Sequence, residues 1–180
     1  MPRRPSCVEY RRPRTMELSF AIAADADAAV VTDIRAAVAA DLTRRYGHGH
    51  WTATGTEKSV LRDIRTSQVL IARRGSQTVG TLRLATRKPW AIDARYFSSR
   101  PKVLYLTDMA VLPCLQRQGI GRRCLTHARV LAVDWRADAI RLDAYDGPAG
   151  AGAFYAKCGF REMGRVTYRQ TPLVYFELLL

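Results

Sequence analysis

The stretch Tyr105–Leu125 constrains this chain more than any other. It reads as an apolar strand closed at Pro113, then a turn, Gln116-Arg117-Gln118-Gly119-Ile120-Gly121, that feeds straight into a helix. Glycine lets a backbone turn tightly and come close to a ligand. The helix behind the turn aims its unpaired N–H groups and the positive end of its dipole back at it. Such a construction holds a phosphate, although a plain tight turn before a helix uses the same glycines. Two other phosphate motifs are excluded. The Gly-x-x-x-x-Gly-Lys-Ser/Thr loop is absent, and the third glycine of the dinucleotide fingerprint would fall on Cys124.

Periodicity supplies the neighbouring elements. Glu17–Ala23 alternates as a strand, and Asp25 or Asp27 offers an N-cap to a helix carrying Val31, Ile34, Val38 and Leu42 and ending near Gly47. His48 and His50 lie in the loop that follows, at a spacing that suits a metal but with no third ligand nearby. A second helix spans about Thr56–Thr66. Gln68–Arg73 and Thr78–Thr86 form a hairpin over Gly75-Ser76. The segment Arg87–Lys102, with Trp90, Tyr96 and Phe97, is too long for a simple turn. The helix after the glycine turn keeps Ile120, Cys124, Ala128, Leu131 and Trp135 on one face. A strand at Ala139–Tyr145, a short helix at Ala149–Lys157 and two closing strands, Phe160–Arg169 and Leu173–Leu180, complete the chain. The strand–helix–strand passage around residues 104–145 implies a right-handed parallel crossover, whereas the hairpins imply antiparallel neighbours. The expected fold is a single-domain α/β one: a mixed, mostly antiparallel sheet with helices on both faces.

At 180 residues one domain is expected, from residue 16 to residue 180, preceded by a basic arm over residues 1–15. That arm holds five arginines and three prolines and reads as disordered, unless translation starts at Met16. No apolar run is long enough to cross a membrane, and Met1–Pro5 does not begin a signal peptide. The four cysteines, Cys7, Cys114, Cys124 and Cys158, show no Cys-x-x-Cys spacing, so free thiols in a cytoplasmic protein are expected. The net charge of +13 comes from 25 arginines against 4 lysines and 16 acidic residues. It favours a phosphate-rich partner, or reflects the codon usage of a GC-rich genome. Outside the arm the charge is dispersed, which argues against nucleic acid as a partner.

Three features coincide: Met109-Ala110-Val111-Leu112-Pro113 at a strand end, Gln116-Arg117-Gln118-Gly119-Ile120-Gly121 opening a helix, and Phe154-Tyr155-Ala156-Lys157-Cys158-Gly159-Phe160 farther on. Together they resemble the GCN5-related N-acetyltransferases, the GNAT superfamily, over essentially the whole globular part. The resemblance implies that the strand at 105–111 splays from the one at 139–145, and that acetyl-CoA lies in the resulting cleft. Its pantetheine arm would pair with the backbone around Met109, Ala110 and Val111. Its pyrophosphate would sit on the turn from Gln116 through Arg117, Gln118, Gly119, Ile120 and Gly121 to Arg122. It further implies direct attack of an amine on the thioester, with Tyr155 as the acid for the leaving thiolate. A phenol is protonated at neutral pH. Asp143 is the leading base and Asp108 the runner-up; Asp146 or bound water are further routes. Many members carry an asparagine seven residues before the tyrosine; here Pro148 stands there.

The activity expected is acetyl transfer to a primary amine of a small molecule or peptide. The alternatives are an acyl-CoA sensor without chemistry and a basic ribosome- or nucleic-acid-associated protein. The acceptor would meet the 43–58 and 87–102 regions, where Trp51, Trp90, Tyr96 and Phe97 offer aromatic walls and His48, His50, Asp93 and Asp108 polar ones. A homodimer through the final strands is possible in such a fold.

Overall fold

A computed structural model describes residues 17–180. The basic arm and Cys7 lie outside the described residues. The chain runs β1 (Leu18–Ile22), α1 (Ala28–Tyr46), α2 (Glu57–Thr66), β2 (Gln68–Arg74), β3 (Gln77–Ala85), β4 (Val103–Val111), α3 (Ile120–Asp134), β5 (Ala139–Tyr145), α4 (Gly152–Lys157), β6 (Arg161–Tyr168) and β7 (Thr171–Leu179). The order of strands and helices is the expected one.

Local chemistry sets most boundaries. Thr56 accepts a hydrogen bond from the Ser59 N–H (3.3 Å) and starts α2. The acidic N-cap expected for α1 takes a different form. The Asp27 carboxylate instead accepts from the Ala24 N–H (2.9 Å) and from Arg73 (2.7 Å), closing the 3-10 turn Asp25–Asp27 that precedes the helix. Helix α4 begins only at Gly152, because Gly147–Gly150 closes a turn of its own (N···O 2.8 Å). On α3 the buried stripe is Ile120, Cys124, Leu125, Ala128 and Ala132. Trp135 falls outside it at 43% exposure, because the helix ends at Asp134 and the next residue leaves the 3.6-residue period.

The seven strands form one sheet in the order β1-β2-β3-β4-β5-β7-β6, antiparallel except for the β4–β5 pair. One face, with Leu70, Leu82, Leu106, Leu142 and Phe176, packs on α3 and on Tyr155 of α4. On the other face Val69 and Ile71 pack on Val31 of α1 and Val60 of α2. Farther along that face, Tyr105 and Tyr175 are covered by Ile92 and Phe97 of the 87–102 segment.

Two features of β4 shape the molecule. Its pairing with β5 stops after Val103↔Ala139, Leu104↔Ile140 and Tyr105↔Arg141. Against β3, Thr107 faces Arg83 and Ala110 faces Thr81, so Asp108 and Met109 together oppose Leu82. The extra residue is a β-bulge, with Asp108 in the left-handed region at φ 54°. A bulge bends its strand and increases the local twist. Beyond Tyr105 the edge of β4 that faces β5 has no strand partner among the described residues, and a V opens between the two strands.

Candidate active site

The open edge of β4 runs into the glycine turn. Gln116 donates its amide to the Val111 carbonyl (3.1 Å), tying turn to strand. The backbone winds left-handed at Arg117 (φ 60°) and again at Gly119 (φ 80°), the residue before α3. At Gly119 a side chain would meet open space, so the positive φ alone demands glycine. Gly121 serves a different purpose. A Cβ there would lie 3.1 Å from the Phe154 ring and 3.2 Å from the Met109 methyl, so its bare backbone lets α3 close on α4 and β4. Gln116 to Gly119 and Arg122 are exposed, whereas Ile120 and Ala110 are buried and Met109 and Val111 half-buried. Arg74 of β2 reaches Gln118 (3.3 Å) and adds a cation that sequence spacing did not reveal.

Tyr155 closes the base of the V. It is buried among Phe154, Phe160 and Phe176, and its hydroxyl donates toward the Met109 sulfur (3.8 Å). Burial, then the charge of Asp143, pushes the phenol well above its ordinary value. Asp143 sits on the other side of the V, on β5 opposite Tyr175 of β7. It makes no ion pair among the described residues, and burial raises its pKa above the usual carboxylate range, against a smaller opposing effect of its own backbone N–H. Arg141, two residues earlier, is engaged elsewhere in a buried pair with Glu177 (2.9 Å).

Asp108 has other surroundings. Arg83 Nη1 (3.7 Å) and Arg35 Nη2 (3.8 Å) flank its carboxylate, and Thr107 donates to it (3.0 Å). Asp63 holds both arginines, at 3.2 and 3.4 Å. These partners come from α1, α2 and β3, so no sequence window could have joined them. Asp108 therefore offers a half-exposed carboxylate fixed by its neighbours, and Asp143 a more isolated one whose burial favours the protonated form. Asp146, the third choice, is paired with Arg165 (2.7 Å).

Of the expected acceptor walls, His50 and Trp51 pack against Tyr145 at the end of β5, tilted and edge-on, with ring centroids at 5.0 and 5.3 Å. Burial lowers the His50 pKa, keeping the imidazole neutral at pH 7. No group of three metal-ligating side chains occurs among the described residues. Phe97 is buried on Tyr175 and Arg141, and Asp93 is paired with Arg95. Burial pushes the Cys124 thiol up to about 11, which removes it as a nucleophile at neutral pH.

A family model described as acetyltransferase (GNAT) family matches residues 35–160. The chain belongs to the GNAT acetyltransferases. Among solved structures it is similar to the ribosomal-protein-S18-alanine N-acetyltransferase from Escherichia coli (15% identity, TM-score 0.69, covering 91% of this chain and 94% of that one). It is similar also to yncA from Salmonella typhimurium, solved with its cofactor acetyl-CoA (18%, 0.65, 91% and 94%). A third is a GCN5-related N-acetyltransferase from Rhodopseudomonas palustris (19%, 0.68, 94% and 100%). At these identities the likeness carries the fold. A search of curated proteins by sequence gives no match. As a GNAT protein the chain is an acetyl-CoA-dependent N-acetyltransferase, with acetyl-CoA as the donor. No helix among the described residues is long and apolar enough to cross a membrane.

Proposed function

We propose that this enzyme acetylates a primary amine of a small molecule or peptide by direct attack within the V between β4 and β5. The observation that carries the reading is the pairing of an isolated, half-buried Asp143 with a buried Tyr155 whose hydroxyl reaches across to Met109. The donor fits the surrounding surface on two counts. The unpaired edge of β4 around Met109, Ala110 and Val111 suits an extended amide chain. The N–H groups from Arg117 to Arg122, with Arg74 nearby, suit a pyrophosphate. When bound, acetyl-CoA supplies an acyl carbon activated as a thioester.

An ammonium must lose a proton before it can attack. Asp143 takes that proton, and its raised pKa brings it closer to neutral pH, where a base works well. Asp108, fixed by two guanidinium groups, orients the incoming ammonium. As the C–N bond forms and the C–S bond breaks, Tyr155 gives its proton to the departing sulfur and is reprotonated by the second proton leaving nitrogen. The two groups are coupled. The Asp143 charge helps hold the phenol pKa up. Once Asp143 is protonated that charge is gone, and Tyr155 becomes a stronger acid as the sulfur leaves.

Calorimetric titration of acetyl-CoA, with desulfo-CoA and ATP as controls, tests the donor site, and a thiol-release assay over a panel of amines tests the chemistry. Tight acetyl-CoA binding with turnover lowered by about 10²-fold or more in Asp143→Asn and Tyr155→Phe is the expected result. Full turnover in both variants would overturn the assignment.

A further inference from the structure

Four charged side chains meet beside the bulge of β4, each from a different element: Arg35 of α1, Asp63 of α2, Arg83 of β3 and Asp108 of β4 itself. Their formal charges cancel. The two carboxylates do not share the guanidinium groups equally. Asp63 puts one oxygen on each, Oδ1 at 3.2 Å from Arg83 Nη1 and Oδ2 at 3.4 Å from Arg35 Nη1. Asp108 stands farther off, 3.7 Å from Arg83 and 3.8 Å from Arg35, beyond hydrogen-bond length.

Burial follows the same order. The Asp63 side chain is 14% exposed and that of Asp108 37%. Asp63 is also locked in place. Ser67, at the end of α2, donates its hydroxyl to the Asp63 carbonyl and accepts from Arg83 Nε (2.9 Å). On Asp108 both ion pairs and the Thr107 hydrogen bond fall on one oxygen, Oδ2. Asp63 is thus the inner, engaged carboxylate, and Asp108 the outer, loosely held one.

Arg35 gives this asymmetry a consequence. Its side chain is 12% exposed, and its Nε and Nη2 are buried with no hydrogen-bond partner among the described residues. A buried guanidinium with unmet donors gains by pairing with any carboxylate in reach. While Asp63 is charged, it neutralises Arg35 through Nη1 and Asp108 keeps its distance. Without that charge, two arginines face Asp108 alone. Arg35 Nη2 and Arg83 Nη1, both already within 4 Å, would then draw its carboxylate into a hydrogen-bonded pair and spend its charge there.

We propose, on the reading that Asp108 orients the incoming ammonium, that Asp63 is a positioning residue for the acetyl acceptor. It neutralises Arg35 and Arg83 from α2 and so keeps the Asp108 carboxylate available to the amine. Asp63 acts through charge balance and does not touch the substrate.

The test compares two CoA thioethers, S-(2-aminoethyl)-CoA and S-propyl-CoA, by calorimetric titration into the full chain. Their tails have the same length and end in an ammonium at neutral pH or in a methyl. The ratio of their Kd values measures the preference for an ammonium beside the sulfur, whatever amine is the natural acceptor. The wild type should bind the aminoethyl compound about tenfold more tightly. Asp63→Asn and Asp108→Asn should each bring the ratio near one, with S-propyl-CoA affinity unchanged. Asp63→Glu keeps the charge and should keep most of the preference. The double variants Asp63→Asn, Arg83→Gln and Asp63→Asn, Arg35→Met restore the charge balance and should recover it, whereas a merely structural role would make each double variant worse than the single one. Melting temperatures check that each variant is folded, and the double variants decide the matter even where Asp63→Asn alone is too unstable to titrate. A preference lost in Asp108→Asn but kept in Asp63→Asn, or recovered in neither double variant, would overturn the role of Asp63 and leave that of Asp108 standing. A preference kept in Asp108→Asn, or absent from the wild type, would overturn the reading of Asp108 and the proposal with it.

Discussion

Replacing Glu177 with glutamine gives the sharpest test of how the 87–102 segment is held to the sheet. The Arg141 and Glu177 side chains are 6% and 4% exposed, and Nε and Oε1 are 2.9 Å apart. The second Glu177 oxygen accepts from the Ser98 hydroxyl (2.8 Å), and Arg141 also donates to the Ser98 carbonyl and stacks on Phe97. This ion pair pins the 87–102 segment to β5 and β7. Glutamine keeps the shape but removes the charge, leaving a buried guanidinium without a counterion. Breaking a buried pair from one side costs about 3–5 kcal/mol, and the amide oxygen that remains places this variant near about 3. For a domain of this size that is a fall in Tm of roughly 6–12 °C. Urea denaturation gives the free energy, and hydrogen exchange should show lost protection concentrated in residues 87–102. The double variant Arg141→Met, Glu177→Leu removes both charges and should recover most of the loss. A single variant within about 1 kcal/mol of wild type, or a double variant no better than the single, would refute the account.

Further predictions concern the cleft. Asp143→Asn should abolish the acidic limb of the kcat/KM profile, which in the wild type lies above the ordinary carboxylate range. The same variant should melt higher at neutral pH: the folded pKa of Asp143 is raised, so its charge opposes folding above that pKa and stability rises as pH falls through it. A lower Tm for Asp143→Asn at pH 7 would contradict the raised value. Tyr155→Phe should lower kcat by about 10²-fold with acetyl-CoA affinity unchanged by calorimetry, since only the proton donor is lost. Gly119→Val forces a β-branched residue to φ 80° and should cost about 1–2 kcal/mol in urea denaturation while weakening acetyl-CoA binding.

The order of elements was legible in the sequence because each signal is local. Alternation marked β1 and β5, the Gly75-Ser76 turn marked the β2–β3 hairpin, the Gly119 turn marked the start of α3, and Thr56 and Gly47 bounded helices through their own side chain or backbone. Where reading failed, short-range competition decided. Asp27 capped its own 3-10 turn and Trp135 fell just past the end of α3. Asp143 and Tyr155 were visible as residue types at a familiar spacing, but the environment that distinguishes Asp143 from Asp108 was not.

By itself, then, the sequence determined the secondary structure, the parallel crossover and the glycine turn, since these depend on residues within a few positions of one another. Only the tertiary structure decided the rest. The bulge at Asp108 and the early end of β4–β5 pairing open the V. Arg35, Asp63 and Arg83 converge on Asp108 from three elements. The Arg141–Glu177 pair clamps the 87–102 segment through Ser98, 43 positions from Arg141 and 79 from Glu177. The environment of a charged group is set by neighbours distant in the chain, and packing alone brings them together.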